Sequence, residues 1–323
     1  MQYHSSVLKN RSAIQVHRKS LGRRILRDWQ LYLIVFIPLA YLIIFHYGPM
    51  YGVQIAFKEY SPRKGIMGSP WVGWKWFERF LTNVQFRQVF FNTLILSLYS
   101  LVVGFPLPII FALILNALRS NKIKGVVQTV SYIPHFISTT VMVSMTLMVL
   151  SPISGIYGNV YRLFGGTGYP PDFRSTAEAF RHIYVWSGVW KSLGWDSIIY
   201  IAALSSVSPD LHEAAKIDGA SRFKRMLFVD LPCIMPTIAI LFILRCGSII
   251  SVGFEKAYLL QSTINLQTSE IISTFVFKNG MNSFKNFSYG SAVGLFNSVI
   301  NLILLLSVNF ITKKMTDNEV SLV

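Results

Sequence analysis

The sequence is short of charge, and of acidic charge above all. Asp and Glu number 14 against 30 Lys and Arg, a net charge of +16, and charged residues are only 14% of the 323. A soluble domain usually carries about 25%. Hydrophobic residues reach 52%, and the mean hydropathy is +0.47. This depletion argues against an ordinary soluble fold. It fits a chain with much of its surface in lipid, where ionisable groups are costly. A basic excess alone would also suit a nucleic-acid binder. The long apolar runs instead assign it to the basic loops of a membrane protein, with lipid and not nucleic acid as its surroundings.

Other absences narrow the field. The two cysteines, Cys233 and Cys246, stand in or beside apolar sequence with no CxxC, zinc spacing or disulfide framework, and read as packing residues. No G-x-x-x-x-G-K-[ST] occurs, so the chain supplies no ATP site of its own. His212-Glu213 is followed by Ala-Ala-Lys, which departs from the zincin pattern. No nucleophile elbow appears. No catalytic residue, metal or bound cofactor is expected, and the enzyme class is set aside. Heptads, low-complexity tracts and fixed-period repeats are also missing.

What is there is apolar sequence at membrane-crossing length, about 20 residues for a core about 30 Å thick. Six segments qualify: 30–49, 89–116, 126–150, 182–205, 236–257 and 290–311. Pro106 and Pro108 interrupt the second, and Lys191 and Asp196 make the fourth the weakest. The expected fold class is an all-α membrane protein with six transmembrane helices. A basic arm (1–29) precedes the membrane domain (30–311), and a short tail (312–323) follows it. The arm and first apolar run imitate a signal peptide, but no small-residue cleavage site follows Tyr47, so a retained helix is expected. With the N-terminus inside, sixteen Lys and Arg fall on the cytoplasmic side against eleven outside. Both termini are therefore expected in the cytoplasm.

Two loops stand out. Segment 48–88, with GSPWVGWKWFERF, reads either as a short interfacial amphipathic helix or as an irregular loop with aromatic anchors. Segment 208–236 reads SPDLHEAAKIDGASRFKRMLFVDLPCIMP. Pro209 and Asp210 start a short helix ending at Gly219, where glycine suits a turn at positive φ. A second helix is expected from Ser221 to Val229, stopping at Leu231-Pro232. Such a charged hairpin could transmit force from a docked partner; equally, it could be an ordinary long loop.

Glu213-Ala214-Ala215, then Asp218-Gly219-Ala220, then Leu231-Pro232 resembles the EAA loop of ABC importer permeases, with matching spacing throughout. Met226 and Val229 replace the more usual Phe and Ile and keep the apolar character. Further tracts from about Trp29 onward, including YGPMYGVQIAFKEYSP and SVGFEKAYLLQ, are similar to the LplB-type carbohydrate permeases, the kind used by the alginate-oligosaccharide importer. The resemblance implies a type I importer permease in a bacterial inner membrane. Implied partners are a second permease, an ATPase dimer that uses ATP and Mg, and an extracytoplasmic solute-binding protein delivering oligosaccharide. It also makes loop 208–232 the coupling element. Glu213 would pair with a basic residue of the ATPase, Ala214 and Ala215 would permit close approach, and Gly219 would form the turn. Asp218, Leu231 and Pro232 complete the motif.

Ionisable residues within spans usually face a cavity or a partner. Lys191, Asp196, Arg245, Glu255 and Lys256 are the candidates, with Glu255 and Lys256 pairing locally or with the second permease. Arg245, mid-span among apolar neighbours, either lines the path and meets an acidic sugar through two parallel bonds or forms a buried ion pair. Trp190, with Trp186, Trp195, Tyr184 and Tyr200, offers sugar-stacking faces or interface anchors. Asn297 and Asn301, at i and i+4, either line a polar path or bond across helices. His135, beside Pro134, reads as a donor stabilising a kink. The rival functions are a channel or secondary transporter, which would leave the EAA pattern unexplained, and an importer permease for peptides or other solutes.

Overall fold

A computed structural model describes residues 29–249, 252–282 and 286–315, which fall into two compact units divided between Val53 and Gln54. The basic arm before Trp29 and the tail after Met315 lie outside the described residues. Among those described no strand forms, and the one extended pairing is an isolated bridge between Lys58 and Trp71.

The first unit contributes helix α1 (Trp29–Leu42), which continues through a π-helical turn at Ile43–Tyr47 and on past Pro49. The run is longer than the expected 30–49 because Pro49 falls in the first turn of a new helical segment, where its missing N–H costs nothing.

In the second unit, segment 54–85 contains α2 (Lys75–Leu81), which buries Trp76, Phe77 and Phe80. Trp76 Nε1 donates to the Lys58 carbonyl at 3.0 Å, while Trp71 and Trp74 stay exposed. The loop thus has a short helix, and its aromatic residues divide between core and surface. Helices α3 (Phe86–Gly104) and α4 (Pro106–Asn116) form one run interrupted only at Phe105, whose N–H still reaches the Leu101 carbonyl. The two prolines therefore mark a local adjustment and not the end of the span.

The expected third span is not one straight helix. Helix α5 (Asn121–Tyr132) runs through a 3₁₀ turn to Phe136, and α6 (Thr139–Val149) leaves at 104°. Pro134 removes a backbone donor. Ile137 and Ser138 are extended, and Ser138 Oγ accepts from Val141 N at 3.3 Å, restarting the helix. Helix α7 (Ala177–Ser205) has 29 residues and packs against α3, α4, α5 and α6. At 1.5 Å per residue it is about 44 Å long, enough to cross a bilayer core despite Lys191 and Asp196. It passes α5 so closely that a Cβ on Gly194 would lie 2.3 Å from the Ser131 carbonyl oxygen.

After α8 (Pro209–Ile217), the chain reaches α9 (Met235–Gly247) through a 62° bend at Ile234. The expected span 236–257 is also divided. Helix α9 ends at Gly247, where Ser248 N and Oγ both donate to the Arg245 carbonyl and satisfy its freed acceptor. Glu255 and Lys256 belong to a separate helix, α10 (Phe254–Leu260). Last comes α11 (Phe287–Met315), packed against α9 and α2. By length and composition, Trp29–Phe57, Phe86–Asn116 and Phe287–Phe310 can each cross a membrane, and the two bent pairs raise the number to five. Helix α7 is long enough to cross but less apolar than these, with Lys191, Asp196 and several Trp, Ser and Gly along it.

Candidate functional site

Two features gather the sequence-predicted residues: the hairpin 208–232 and a polar cavity beside α7 and α9.

The hairpin is built from capped ends. Ser208 is extended and its Oγ accepts from Asp210 N, with Pro209 opening α8. At the other end Gly219, at φ 74°, donates to the Lys216 carbonyl, and Ala220 N donates to the Ala215 carbonyl. This pair of bonds is the Schellman arrangement, which favours glycine. Ser221 is extended again and caps the next helix through Lys224 N. That second helix does not stop at Leu231-Pro232. Arg222–Arg225 passes into a π-helical turn at Met226–Asp230, then Leu231–Cys233, and breaks only at Ile234. Pro232 sits in the first turn of its segment, where no donor is needed.

No residue of α8 is buried, and Glu213, Ala214, Asp218 and Gly219 are exposed. Among the described residues Glu213 makes no ion pair. An exposed carboxylate beside two small side chains, on a short helix fixed at both ends, is a surface suited to docking in a groove. Behind it lies a residue that sequence reasoning missed. Asp230 is 4% exposed; its Oδ1 lies 3.2 Å from His212 Nε2 and accepts from Asn116 Nδ2 at 3.4 Å. Burial pushes the Asp230 carboxyl above the usual carboxylate range, and the nearby His212 and Arg225 draw it back only in part.

The second feature is a cavity of about 290 Å³ lined by Ser97, Ser100, Tyr184, Ser248, Arg245 and Lys256, among others. Among the described residues its lining has two basic side chains and no carboxylate. Arg245 also reaches a neighbouring cavity of about 300 Å³, where Asp196 and Tyr200 stand. Among the described residues Arg245 makes no ion pair. The local Glu255–Lys256 pairing does not form. Adjacent helix positions point different ways, so Glu255 accepts from Thr140 Oγ1 at 3.1 Å while buried Lys256 donates to the Tyr184 carbonyl and lies over its ring. Arg245 and Lys256 line one cavity, and Lys191 stands near Lys256 without lining it; Trp190 and Asn297 lie elsewhere. Lys191 donates to Thr139 Oγ1 at 3.3 Å. Trp190 lines an apolar pocket with Trp186, Met145 and Val149. Asn297 lies on α11 with its Oδ1 buried and unpartnered among the described residues. His135 stacks on Trp195, with centroids 4.3 Å apart.

Comparison with known proteins places this geometry. Residues 104–317 match the model of the family described as binding-protein-dependent transport system inner membrane component. Protein LplB of Bacillus subtilis (strain 168) is 42% identical over 288 residues, covering 89% of this chain and 90% of the relative. The polygalacturonan/rhamnogalacturonan transport system permease protein YteP of the same organism is 40% identical, covering 92% of each. A chain of a bacterial ABC transporter involved in importing the acidic polysaccharide alginate superposes with a TM-score of 0.83 and 37% identity, covering 92% of this chain and 100% of its own. A chain of a bacterial alginate ABC transporter in complex with an alginate pentasaccharide-bound periplasmic protein gives 0.84 and 36%, covering 94% and 100%.

Proposed function

This chain belongs to the family of binding-protein-dependent transport system inner membrane components, and from that premise we propose that it imports acidic oligosaccharides. It is a membrane permease and not a catalyst. The substrate reading draws on the relatives: one is named for polygalacturonan and rhamnogalacturonan transport, and the solved transporters import acidic alginate. The observation that carries it in this chain is the cavity with Arg245 and Lys256 and, among the described residues, no lining carboxylate. Basic side chains lining a cavity inside a membrane protein are costly, and a uronate carboxylate would offset that cost, Arg245 binding it through two parallel bonds.

In this reading loop 208–232 is the coupling element. Glu213 fixes the register of α8 in an ATPase groove, Ala214 and Ala215 allow close approach, and Asp218, Gly219, Leu231 and Pro232 set the hairpin's shape. The working assembly has a second permease, two ATPase subunits that hold ATP and Mg, and a periplasmic binding protein that delivers the sugar. Six spans, with α7 the fourth, place both termini and the hairpin in the cytoplasm. ATP binding draws the coupling helices together and opens the cavity outward, and hydrolysis returns it inward. The shift comes from the different affinities of the two states for ATP and binding protein.

The test is uptake by the complete importer in proteoliposomes, comparing acidic and neutral oligosaccharides of equal length. Arg245→Ala should lower acidic uptake about tenfold more than neutral uptake, the size of one charge-assisted hydrogen bond. Equal loss of both substrates would remove the acidic reading.

A further inference from the structure

Helix α8 has a mechanical problem. It carries no buried residue, and each end is a break in helical structure, at Ser206–Ser208 and at Gly219. A push received on Glu213, Ala214 and Ala215 could be lost as rotation about those two ends. Among the described residues, one side-chain bond ties α8 to another element, and that is His212 Nε2 to Asp230 Oδ1. The acceptor is well anchored. Asp230 is buried, stands four residues before the bend at Ile234 that opens α9, and receives Asn116 Nδ2 from the end of α4 on the same oxygen. One carboxylate thus joins the exposed helix to the foot of α9 and to the end of the α3–α4 run.

We propose that His212 and Asp230 form a strut that passes the motion of α8 into α9 and α4, making them positioning residues for energy coupling. This rests on loop 208–232 being the ATPase-docking element. The strut uses neither Glu213, which lines the same cleft, nor Ala214 or Ala215, so removing it leaves those three in place for a partner while breaking the route by which their displacement reaches the membrane helices. Helix α9 carries Arg245 at its far end, so the same route ends at the cavity. A histidine there keeps the bond whether its ring is charged or neutral, since Nε2–H can donate in either state.

The experiment measures sugar transported per ATP hydrolysed by the complete importer in proteoliposomes, with co-purification of the ATPase subunits as a second readout. His212→Ala, at a partly buried position on a helix with no buried residue, should keep the ATPases bound and lower the transport ratio about tenfold, as expected for the loss of one charge-assisted hydrogen bond. His212→Gln, whose amide Nε2 can still donate to Asp230, should recover most of the ratio. Asp230→Asn, which keeps an acceptor, should resemble His212→Gln, and Asp230→Ala should resemble His212→Ala. An unchanged ratio in His212→Ala with the ATPases bound would overturn the strut and leave the docking reading intact. Failure of the unaltered chain to bind the ATPases would instead overturn the docking reading.

Discussion

At the scale of single residues, three ionisable groups are placed where they do something other than solvate. Arg245 and Lys256 face one cavity, and Asp230 is buried to join three elements. Gly219 shows how one position fixes a motif. Its φ of 74° lies in the left-handed region, with nothing within 4 Å of where a Cβ would stand, so the constraint is backbone strain and not space. A β-branched residue there costs about 1–2 kcal/mol, whereas asparagine tolerates the conformation. Gly219→Val should therefore weaken ATPase co-purification several-fold while Gly219→Asn retains it. Equal binding by both variants would show that the turn does not shape the docking helix.

At the scale of elements, close approach explains the packing. Helix α7 crosses α5 where Gly194 meets Ser131, and the two nearest atoms are backbone, which cannot swing aside. Gly194→Ala should lower the melting temperature of the purified chain in detergent, by overpacking worth about 1–3 kcal/mol. Gly125→Ala on α5, with nothing within 4 Å, should leave it unchanged or raise it. A matched response would mean the two helices do not touch there. Elements were legible in the sequence where local chemistry decides them. Ser208-Pro209 and Gly219 announce the ends of α8, and the apolar runs announce α3, α4 and α11. The 104° bend at Ile137–Ser138 was only half visible, because Pro134 marks a disturbance without giving its angle. The break after Gly247 was signalled only by Gly247-Ser248, because apolar residues precede Arg245 and resume at Ile249. Local spacing brought Glu255 and Lys256 together on paper, yet the helix turns them apart.

At the scale of the whole molecule, family membership and the substrate-path residues differ in how far sequence reaches. The EAA pattern depends on spacing within some twenty positions and survives in one dimension. The cavity depends on α3, α7, α9 and α10 meeting, so Arg245 was legible as an oddity in an apolar run, while Lys256 became its companion only in three dimensions. Asp230 and His212 lie eighteen residues apart on segments whose contact is set by the Gly219 turn. The central claim is that the hairpin 208–232 is a cytoplasmic contact for an ATPase that drives the membrane helices. Its most direct test places a single cysteine at Ala214→Cys in an otherwise cysteine-free assembled importer, with a second in the groove of the ATPase. The account predicts a disulfide cross-link between the two subunits, and labelling of Ala214→Cys by a membrane-impermeant thiol reagent only from the cytoplasmic side. Labelling from outside, or no cross-link in a complex that hydrolyses ATP and transports sugar, would contradict it.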